Sequence, residues 1–204
     1  MNGYANIGEV QKDAIRELGN IGAGNAATAL ASLLNDKVEI SVPNLKFIDI
    51  SEISDILGGP EKEVVGILVR MTDDVDGMLI YIMDYHFVKH LLGSLLNEDV
   101  QAFSGISEIG LSALKEVSNI LSGSYVNALS RLTSLDIRLS LPEIAIDMVG
   151  AILNFPAAVV GELGDKLLLI EENFIASGNS IQSHLLLIPN MQSLHEIMKR
   201  LGVE

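Results

Sequence analysis

Apolar residues recur at intervals of three and four along two long stretches of the chain, from about Val10 to Leu34 and from Ser107 to Arg131. Polar residues occupy the other side of each stretch, which is the pattern of an amphipathic helix. The sequence therefore predicts two long helices. Their apolar sides are predicted to consist of Ile15, Leu18, Ile21, Ala26, Ala29, Leu30 and Leu33, and of Ile109, Leu114, Val117, Ile120, Leu121, Ala128 and Leu132.

Shorter elements follow the first long helix. Between residues 38 and 50 the chain is rich in strand-forming residues and is interrupted by Pro43 and Asn44. A short helix is predicted over 51–57, and another over 84–96. Between these two helices, aliphatic runs at 64–71 and 77–83 flank the pair Asp76-Gly77. An Asp-Gly pair favours a tight hairpin turn, so the two runs are predicted to form a hairpin.

The second half shows a similar series of elements. A strand is predicted over 135–139, and Pro142 suits the first turn of a helix that continues to about Asn154. The segments 166–175 and 181–188 resemble a second hairpin, turning through Ser177, Gly178 and Asn179. A final helix is predicted from Met191 to Leu201. Helices and antiparallel hairpins in both halves indicate an α+β fold with a shared, largely antiparallel sheet.

The two halves carry the same sequence pattern. Glu17 and Asn20 recur as Glu116 and Asn119, in both cases 99 residues further on. At that offset the identical pairs are Ala14 and Ala113, Ile21 and Ile120, Gly24 and Gly123, Ala29 and Ala128, Leu30 and Leu129, and Leu33 and Leu132. Repetition at this period predicts two copies of one supersecondary unit, about 9–100 and 104–204, related by a pseudo-twofold axis within one domain spanning 1–204.

The repeated polar residues form a stripe on each long helix. Residues three and four apart are neighbours on a helix, so Glu17 and Asn20 present a carboxylate and a carboxamide to one point, as do Glu116 and Asn119. The stripe extends one turn earlier to Asp13 in the first copy and to Ser112 in the second. An Asn side chain both donates and accepts hydrogen bonds and can hold a water molecule, whereas ionised Glu only accepts.

Solvation alone would explain such residues on a single helix, but two identical copies favour a function. Close helix packing could explain the glycines at 24 and 123, because a residue without a side chain permits close approach. The run Gly19, Gly22 and Gly24 lies within a helical pattern, which favours close helix packing over a nucleotide-binding loop.

Composition excludes several classes of protein. The chain has 204 residues with a net charge of −14, which disfavours binding to nucleic acid or anionic lipid. It contains no Cys, so disulfides and thiolate chemistry are excluded, and it shows no apolar run of membrane-spanning length. We therefore expect a cytoplasmic protein without membrane insertion.

No metal site of the protein's own is expected. His86 and His90 are four residues apart, but no third ligand with suitable spacing accompanies them. Asp73, Asp74 and Asp76 lack the spacing of a calcium loop, and turn formation explains them.

The duplicated stripe, with the segment Gly-Ala-Gly-Asn-Ala-Ala-Thr-Ala-Leu after the first copy, resembles the CheC, CheX and FliY phosphatase family of chemotaxis. The likeness covers essentially the whole chain and is greatest to the CheC branch. The resemblance implies hydrolysis of the phospho-aspartate of the response regulator CheY. It implies that Asn20 and Asn119 orient the attacking water, while Glu17 and Glu116 pair with a Lys of the regulator, which also carries the Mg²⁺ ion.

The resemblance further implies binding to the receptor deamidase CheD through the segment after the second long helix. Ile146, Asp147 and Met148 are the candidate contacts, with ordinary core packing as an equal alternative. For the whole chain, the alternative to a phosphatase is a non-catalytic binding module of the chemotaxis system or of the flagellar switch.

Overall fold

A computed structural model describes residues 8–160, 166–176 and 179–203. The helices are α1 Glu9–Leu34, α2 Ile50–Ile56, α3 Tyr85–Leu96, α4 Glu108–Thr133, α5 Val149–Val160 and α6 Met191–Arg200. The strands are β1 Val38–Ile40, β2 Asn44–Asp49, β3 Glu63–Asp73, β4 Gly77–Met83, β5 Ile137–Leu139, β6 Glu143–Met148, β7 Lys166–Ala176 and β8 Asn179–Pro189. Each half thus runs through the same order of elements, and the predicted α+β duplication is confirmed.

The strands of both halves join in one antiparallel sheet. Its order is β1-β7-β8-β4-β3-β5, with β2 also paired to β7 and β6 also paired to β3. The first two strands of each half therefore pair with the other half. Their registers correspond, since Leu45 of β2 lies opposite Ile170 of β7, and Ile144 of β6 lies opposite Ile67 of β3. The hairpin predicted over 64–83 is present as the β3–β4 pair.

The sheet separates two apolar cores. Alternate residues of a strand point to opposite faces. In β4, Leu79, Tyr81 and Met83 belong to the core shared with the long helices α1 and α4 and with α3 and α6. Met78 and Ile80 belong to the other core, which packs against α2 and α5. The two long helices thus lie together on one face of the sheet and pack against each other.

Side-chain caps define where several helices begin. The Ser107 hydroxyl accepts a hydrogen bond from the Gly110 amide at 2.9 Å, at the start of α4. Asp84 caps α3 and Asn190 caps α6 in the same way, through the amides of Phe87 and Ser193. Such caps satisfy amides that lack partners within the helix. The caps of α3 and α6 occupy equivalent positions in the two halves.

The predicted helix from Pro142 to Asn154 is wrong. Residues Glu143–Met148 form β6, and the helix α5 begins only at Val149. The segment is extended because it pairs along its whole length with β3 of the other half. Local sequence favoured a helix, but pairing with a distant strand decided the conformation. The turn predicted at Ser177 and Gly178 lies outside the described residues, and Asn179 begins β8.

The ends of the long helices depart from the predicted apolar sides. Leu33 is 37% exposed and Leu132 is 38% exposed, and both lie in the last turn of their helix. Ile109, in the first turn of α4, is 68% exposed. The remaining predicted positions are buried or partly buried. Within the described residues, no helix combines the length and apolar character needed to cross a membrane.

Candidate functional site

Both copies of the polar stripe lie on the solvent-facing side of the long helices. Asp13, Glu17 and Asn20 are exposed on α1, and Ser112, Glu116 and Asn119 are exposed on α4. The residues between them, such as Leu18 and Val117, are buried in the core beneath. Amphipathic packing therefore turns each stripe outward, and the duplication gives two equivalent surfaces.

The Glu carboxylates of the stripes are free to meet a partner. Among the described residues, neither Glu17 nor Glu116 forms an ion pair or a hydrogen bond through its carboxylate. The neighbouring cation Arg16 is held elsewhere, because its Nη1 donates to Asp13 Oδ1 at 2.5 Å. An ionised carboxylate without a partner accepts a hydrogen bond or a cation readily.

Two glycines of α1 are explained by close packing. A Cβ at Gly22 would lie 2.5 Å from Cδ1 of Tyr125 on α4, and a Cβ at Gly19 would lie 2.9 Å from Cδ1 of Leu45 on β2. The Tyr125 ring therefore occupies the space above Gly22, where the two long helices meet. The prediction that these glycines serve close packing within a helix is confirmed for Gly19 and Gly22.

The same explanation is wrong for Gly24 and Gly123. No described atom lies within 4 Å of the position that a Cβ would take at either residue, apart from the helix's own backbone. Both glycines sit in helix interiors one turn beyond Asn20 and Asn119, where Gly24 is exposed and Gly123 is partly exposed. Packing among the described residues therefore does not require them.

A buried carboxylate beneath the long helices was missed by sequence reasoning. Glu172 of β7 is fully buried, where its Oε1 accepts from the Tyr125 hydroxyl at 2.6 Å and its Oε2 accepts from the Ser183 hydroxyl at 3.0 Å. Burial raises the pKa of Glu172 to about 7, although both hydrogen bonds oppose the rise. The Tyr125 pKa is also raised well above its usual value, first by burial and then by the charge of Glu172.

Tyr81 lies in the same buried region as Glu172 and Tyr125, and the sequence gives little indication of this cluster. The Tyr81 hydroxyl is buried in the same core, and among the described residues it has no hydrogen-bond partner. The charge of Glu172 contributes, after burial, to raising the Tyr81 pKa. Glu172 follows Glu171 in the sequence, so the two residues resemble an ordinary polar pair of a strand, whereas Glu171 is partly buried and ion-paired with Lys46 and Glu172 is fully buried.

His86 and His90 lie on α3, and Asp73, Asp74 and Asp76 lie at the turn between β3 and β4. Within the part of the chain that the structure describes, no group of three or more His, Asp or Glu side chains could hold a metal ion. Asp74 accepts a hydrogen bond from the Asp136 amide at 2.9 Å, and Asp73 lies at a left-handed backbone position beside Arg138. Asp73 and Asp74 therefore contact β5 and the residue that leads into it, where the chain turns from β3 to β4.

The predicted CheD contacts lie on β6, at the edge of the same sheet. Asp147 and Met148 are exposed, whereas Ile146 is partly buried against the core beneath α1 and α4. Asp147 lines a cavity of about 320 Å³ between β3, β6 and α5. Phe155 of α5 lines the same cavity and is 44% exposed. Core packing thus accounts for Ile146 but not for its two neighbours.

Comparison with known proteins gives two kinds of match. A model of the CheC-like family matches residues 10–46 and 109–146, the two segments that hold the Glu-x-x-Asn copies. The CheY-P phosphatase CheC of Bacillus subtilis (strain 168) is 33% identical over 208 residues, which cover 99% of this chain and 99% of that protein. The flagellar motor switch phosphatase FliY of the same strain is 33% identical over 141 residues, covering 69% of this chain and 36% of that protein.

The fold also matches a solved structure. The crystal structure of Thermotoga maritima FliY superposes with a TM-score of 0.78 and covers 97% of this chain and 98% of that chain. Its sequence identity is 22%, so this likeness concerns the fold. The fold comparison thus supports the duplicated α+β architecture.

Proposed function

The chain belongs to the CheC-like family, and from this premise we propose that it is a phosphatase acting on the phospho-aspartate of a CheY-type response regulator. The full-length relative named CheY-P phosphatase supports a phosphatase of the chemotaxis system. The observation that carries the residue assignment is the pair of exposed Glu-x-x-Asn motifs, at equivalent places on α1 and α4.

In the proposed reaction the chain completes a site on the regulator. Phosphoryl transfer depends mainly on positioning and on electrostatic stabilisation. The carboxamide of Asn20 or Asn119 holds a water in line with the phosphorus. The oxygen of that water bonds to phosphorus as the bond from phosphorus to the aspartate oxygen breaks, and the water's protons remain on the released phosphate. A free aspartate carboxylate is left on the regulator.

The Glu of each motif serves docking in this proposal. Glu17 and Asn20 are about 5 to 6 Å apart between their Cβ atoms, as helix neighbours are. A Lys of the regulator that pairs with Glu17 therefore brings the aspartyl phosphate close to Asn20. The same arrangement holds for Glu116 and Asn119. The Mg²⁺ ion belongs to the regulator, where it offsets the charge of the phosphoryl oxygens.

Charge reversal at both docking residues tests the proposal. Glu17→Lys combined with Glu116→Lys is expected to raise the KM for the phosphorylated regulator roughly tenfold or more, because close charge pairs across interfaces contribute ~1.5 kcal/mol or more. The measurement is the rate of phosphate release from a phosphorylated CheY with Mg²⁺. Both positions are exposed, so the fold is expected to persist.

A matched control lies two turns earlier on the same helices. Glu9 and Glu108 are exposed and occupy equivalent places in the first turns of α1 and α4. Glu9→Lys with Glu108→Lys applies the same change in net charge and should leave the KM within about twofold, since exposed charges two turns away are largely screened. A wild-type protein that does not accelerate phosphate release would refute the phosphatase proposal and favour the binding module.

We also propose that CheD binds the surface formed by Asp147, Met148 and Phe155. Met148 is a large apolar side chain that is 49% exposed, and Asp147 and Phe155 line an open cavity, features that are typical of a contact surface. Arg70 lies over the Phe155 ring at 5.4 Å and gives this surface a cation as well. Asp147 provides a carboxylate at the rim of the cavity.

Replacing Asp147 and Met148 by Lys is expected to weaken the affinity for CheD about tenfold or more, as measured by calorimetry. Phosphatase activity without CheD should remain, because neither substituted residue belongs to a polar stripe. Val42→Lys serves as the control, since Val42 is 81% exposed in the loop between β1 and β2 of the other half. An unchanged affinity in the Asp147 and Met148 variant would place the CheD contact elsewhere.

A further inference from the structure

Gly24 and Gly123 share a position on the two polar stripes. At 3.6 residues per turn, residue 24 points within about 20° of Glu17 and about 40° of Asn20, and lies about 6 Å further along the helix axis than Asn20. The same relation holds for Gly123, Glu116 and Asn119. Each motif is therefore followed, on the same face and one turn later, by bare helix backbone.

Glycine is unfavourable at these two helix positions, and contacts among the described residues do not explain it. Glycine in a helix interior is less favourable than alanine, because it loses more conformational freedom on folding. Close packing explains the glycines at positions 19 and 22, whereas the space above Gly24 and Gly123 is open. The carbonyl of Gly24 already accepts from Thr28 Oγ1 at 3.0 Å and from within the helix, so the backbone is not exposed to satisfy a polar group.

We propose that Gly24 and Gly123 are positioning residues, each of which lets the main chain of the phosphorylated regulator contact the helix directly. This inference rests on the proposed function, since it concerns the partner that Glu17 and Asn20 engage. Glycine serves close approach of one backbone to another. With the regulator's main chain resting on Gly24, the distance from Asn20 to the phosphorus is set by backbone contact rather than by flexible side chains.

A side chain at these positions acts as a spacer. One methyl group on the Cα would hold the partner's main chain away from the helix by about the width of a methyl. In-line attack tolerates little such displacement, since a shift of about 1 Å is enough to lower rates about a hundredfold. Each glycine then sets the distance between the partner and the Asn of the same helix, Gly24 for Asn20 and Gly123 for Asn119.

The test separates stability from activity. Gly24→Ala with Gly123→Ala is expected to raise the Tm by about 2 °C for each substitution, because alanine favours the helix. The same variant is expected to lower kcat/KM for the phosphorylated regulator about a hundredfold, and Gly24→Gln with Gly123→Gln at least as much. A residue with only a structural role would not give a more stable and less active protein.

Gly93→Ala provides the matched control. Gly93 lies inside α3, away from the stripes, and a Cβ there would make only an ordinary contact at 3.8 Å with the Glu98 carbonyl. This variant should also gain Tm and should keep the wild-type kcat/KM.

Full activity in both the Ala and the Gln double variants would overturn the inference while leaving the phosphatase proposal intact. A variant that loses Tm together with activity would also overturn it, because the glycines would then serve folding. Absence of turnover in the wild type would instead refute the phosphatase proposal itself. In that case calorimetry would measure direct binding of the regulator. Loss of binding in the Gln double variant would show that the glycines contact the partner, and unchanged binding would show that they do not.

Discussion

Replacing both Asn20 and Asn119 by Ala is expected to lower the kcat for phospho-aspartate hydrolysis by about 10² to 10³, the usual effect of removing one preorganised polar group from a site. Affinity for the regulator should remain, because the proposed mechanism assigns docking to Glu17 and Glu116. The two Asn side chains are exposed, so truncation leaves the helices intact. Turnover is measured as phosphate release and affinity by calorimetry with the phosphorylated regulator.

The single variants report on the two stripes separately. Asn20→Ala should retain the turnover of the α4 stripe, and Asn119→Ala that of the α1 stripe. Asn127→Ala is the control, since Asn127 is exposed on α4 about two turns beyond Asn119. Its removal should leave kcat unchanged within about twofold, since surface substitutions away from a site have small effects.

Binding and turnover together distinguish the two functional classes. Loss of kcat with retained affinity supports water orientation by the Asn residues. Loss of affinity without any wild-type turnover supports the binding module, in which the stripes only dock a partner. A double variant that hydrolyses the phosphoryl group as fast as the wild type would show that neither Asn orients the water.

Local sequence predicted the elements whose signals are local. The long helices carry many turns of apolar spacing, and the β3–β4 hairpin carries a turn signal between two aliphatic runs, so both were placed within a few residues. β6 was missed because its partner, β3, lies in the other half of the chain. Short strands owe their conformation to pairing, and pairing across about 80 residues leaves no local pattern.

The candidate site was visible in the sequence because it occurs twice. Glu17 and Asn20 are unremarkable polar residues of a helix until Glu116 and Asn119 repeat them. The two roles of glycine were not separable in the sequence, since Gly22 and Gly24 are neighbours in one run. Only the three-dimensional structure shows Tyr125 above Gly22 and open space above Gly24.

Glu172 could not have been identified in the same way. Its hydrogen-bond partners come from α4 and β8, at sequence separations of 47 and 11 residues. The repeat offers no guide either, because β7 and β3 differ in sequence at this point. Burial of an ionisable group is a property of the assembled core, and its consequence is a dependence of stability on pH.

The free energy of unfolding is expected to fall as pH rises from about 4.5 to 7 because of Glu172. Its pKa is raised from 4.5 to about 7 in the folded protein. Below pH 4.5 the group is protonated in both states and costs nothing. Between the two values the unfolded chain releases the proton while the folded chain retains it, so unfolding becomes more favourable. The free energy of unfolding falls by about 3 kcal/mol in total, since each unit of pKa difference contributes about 1.36 kcal/mol.

Glu172→Gln removes this titration while keeping the shape and the hydrogen bonds. The amide oxygen still accepts from Tyr125, and the amide nitrogen donates to Ser183. We therefore expect the variant to gain about 3 kcal/mol of unfolding free energy relative to the wild type between pH 4.5 and pH 8. Urea denaturation followed by circular dichroism at several pH values gives this difference, in which the titration of the other carboxylates cancels.

Tyr125→Phe provides an opposing change in the same cluster. It keeps the ring that packs against Gly22 but removes the hydroxyl that donates to Glu172, a hydrogen bond that holds the Glu172 pKa down. The pH-dependent loss of stability should therefore continue to higher pH in this variant than in the wild type. If the difference between Glu172→Gln and the wild type stayed constant across the range, the carboxyl group would have to ionise in the folded protein as easily as in the unfolded chain. Burial would then not govern its proton affinity.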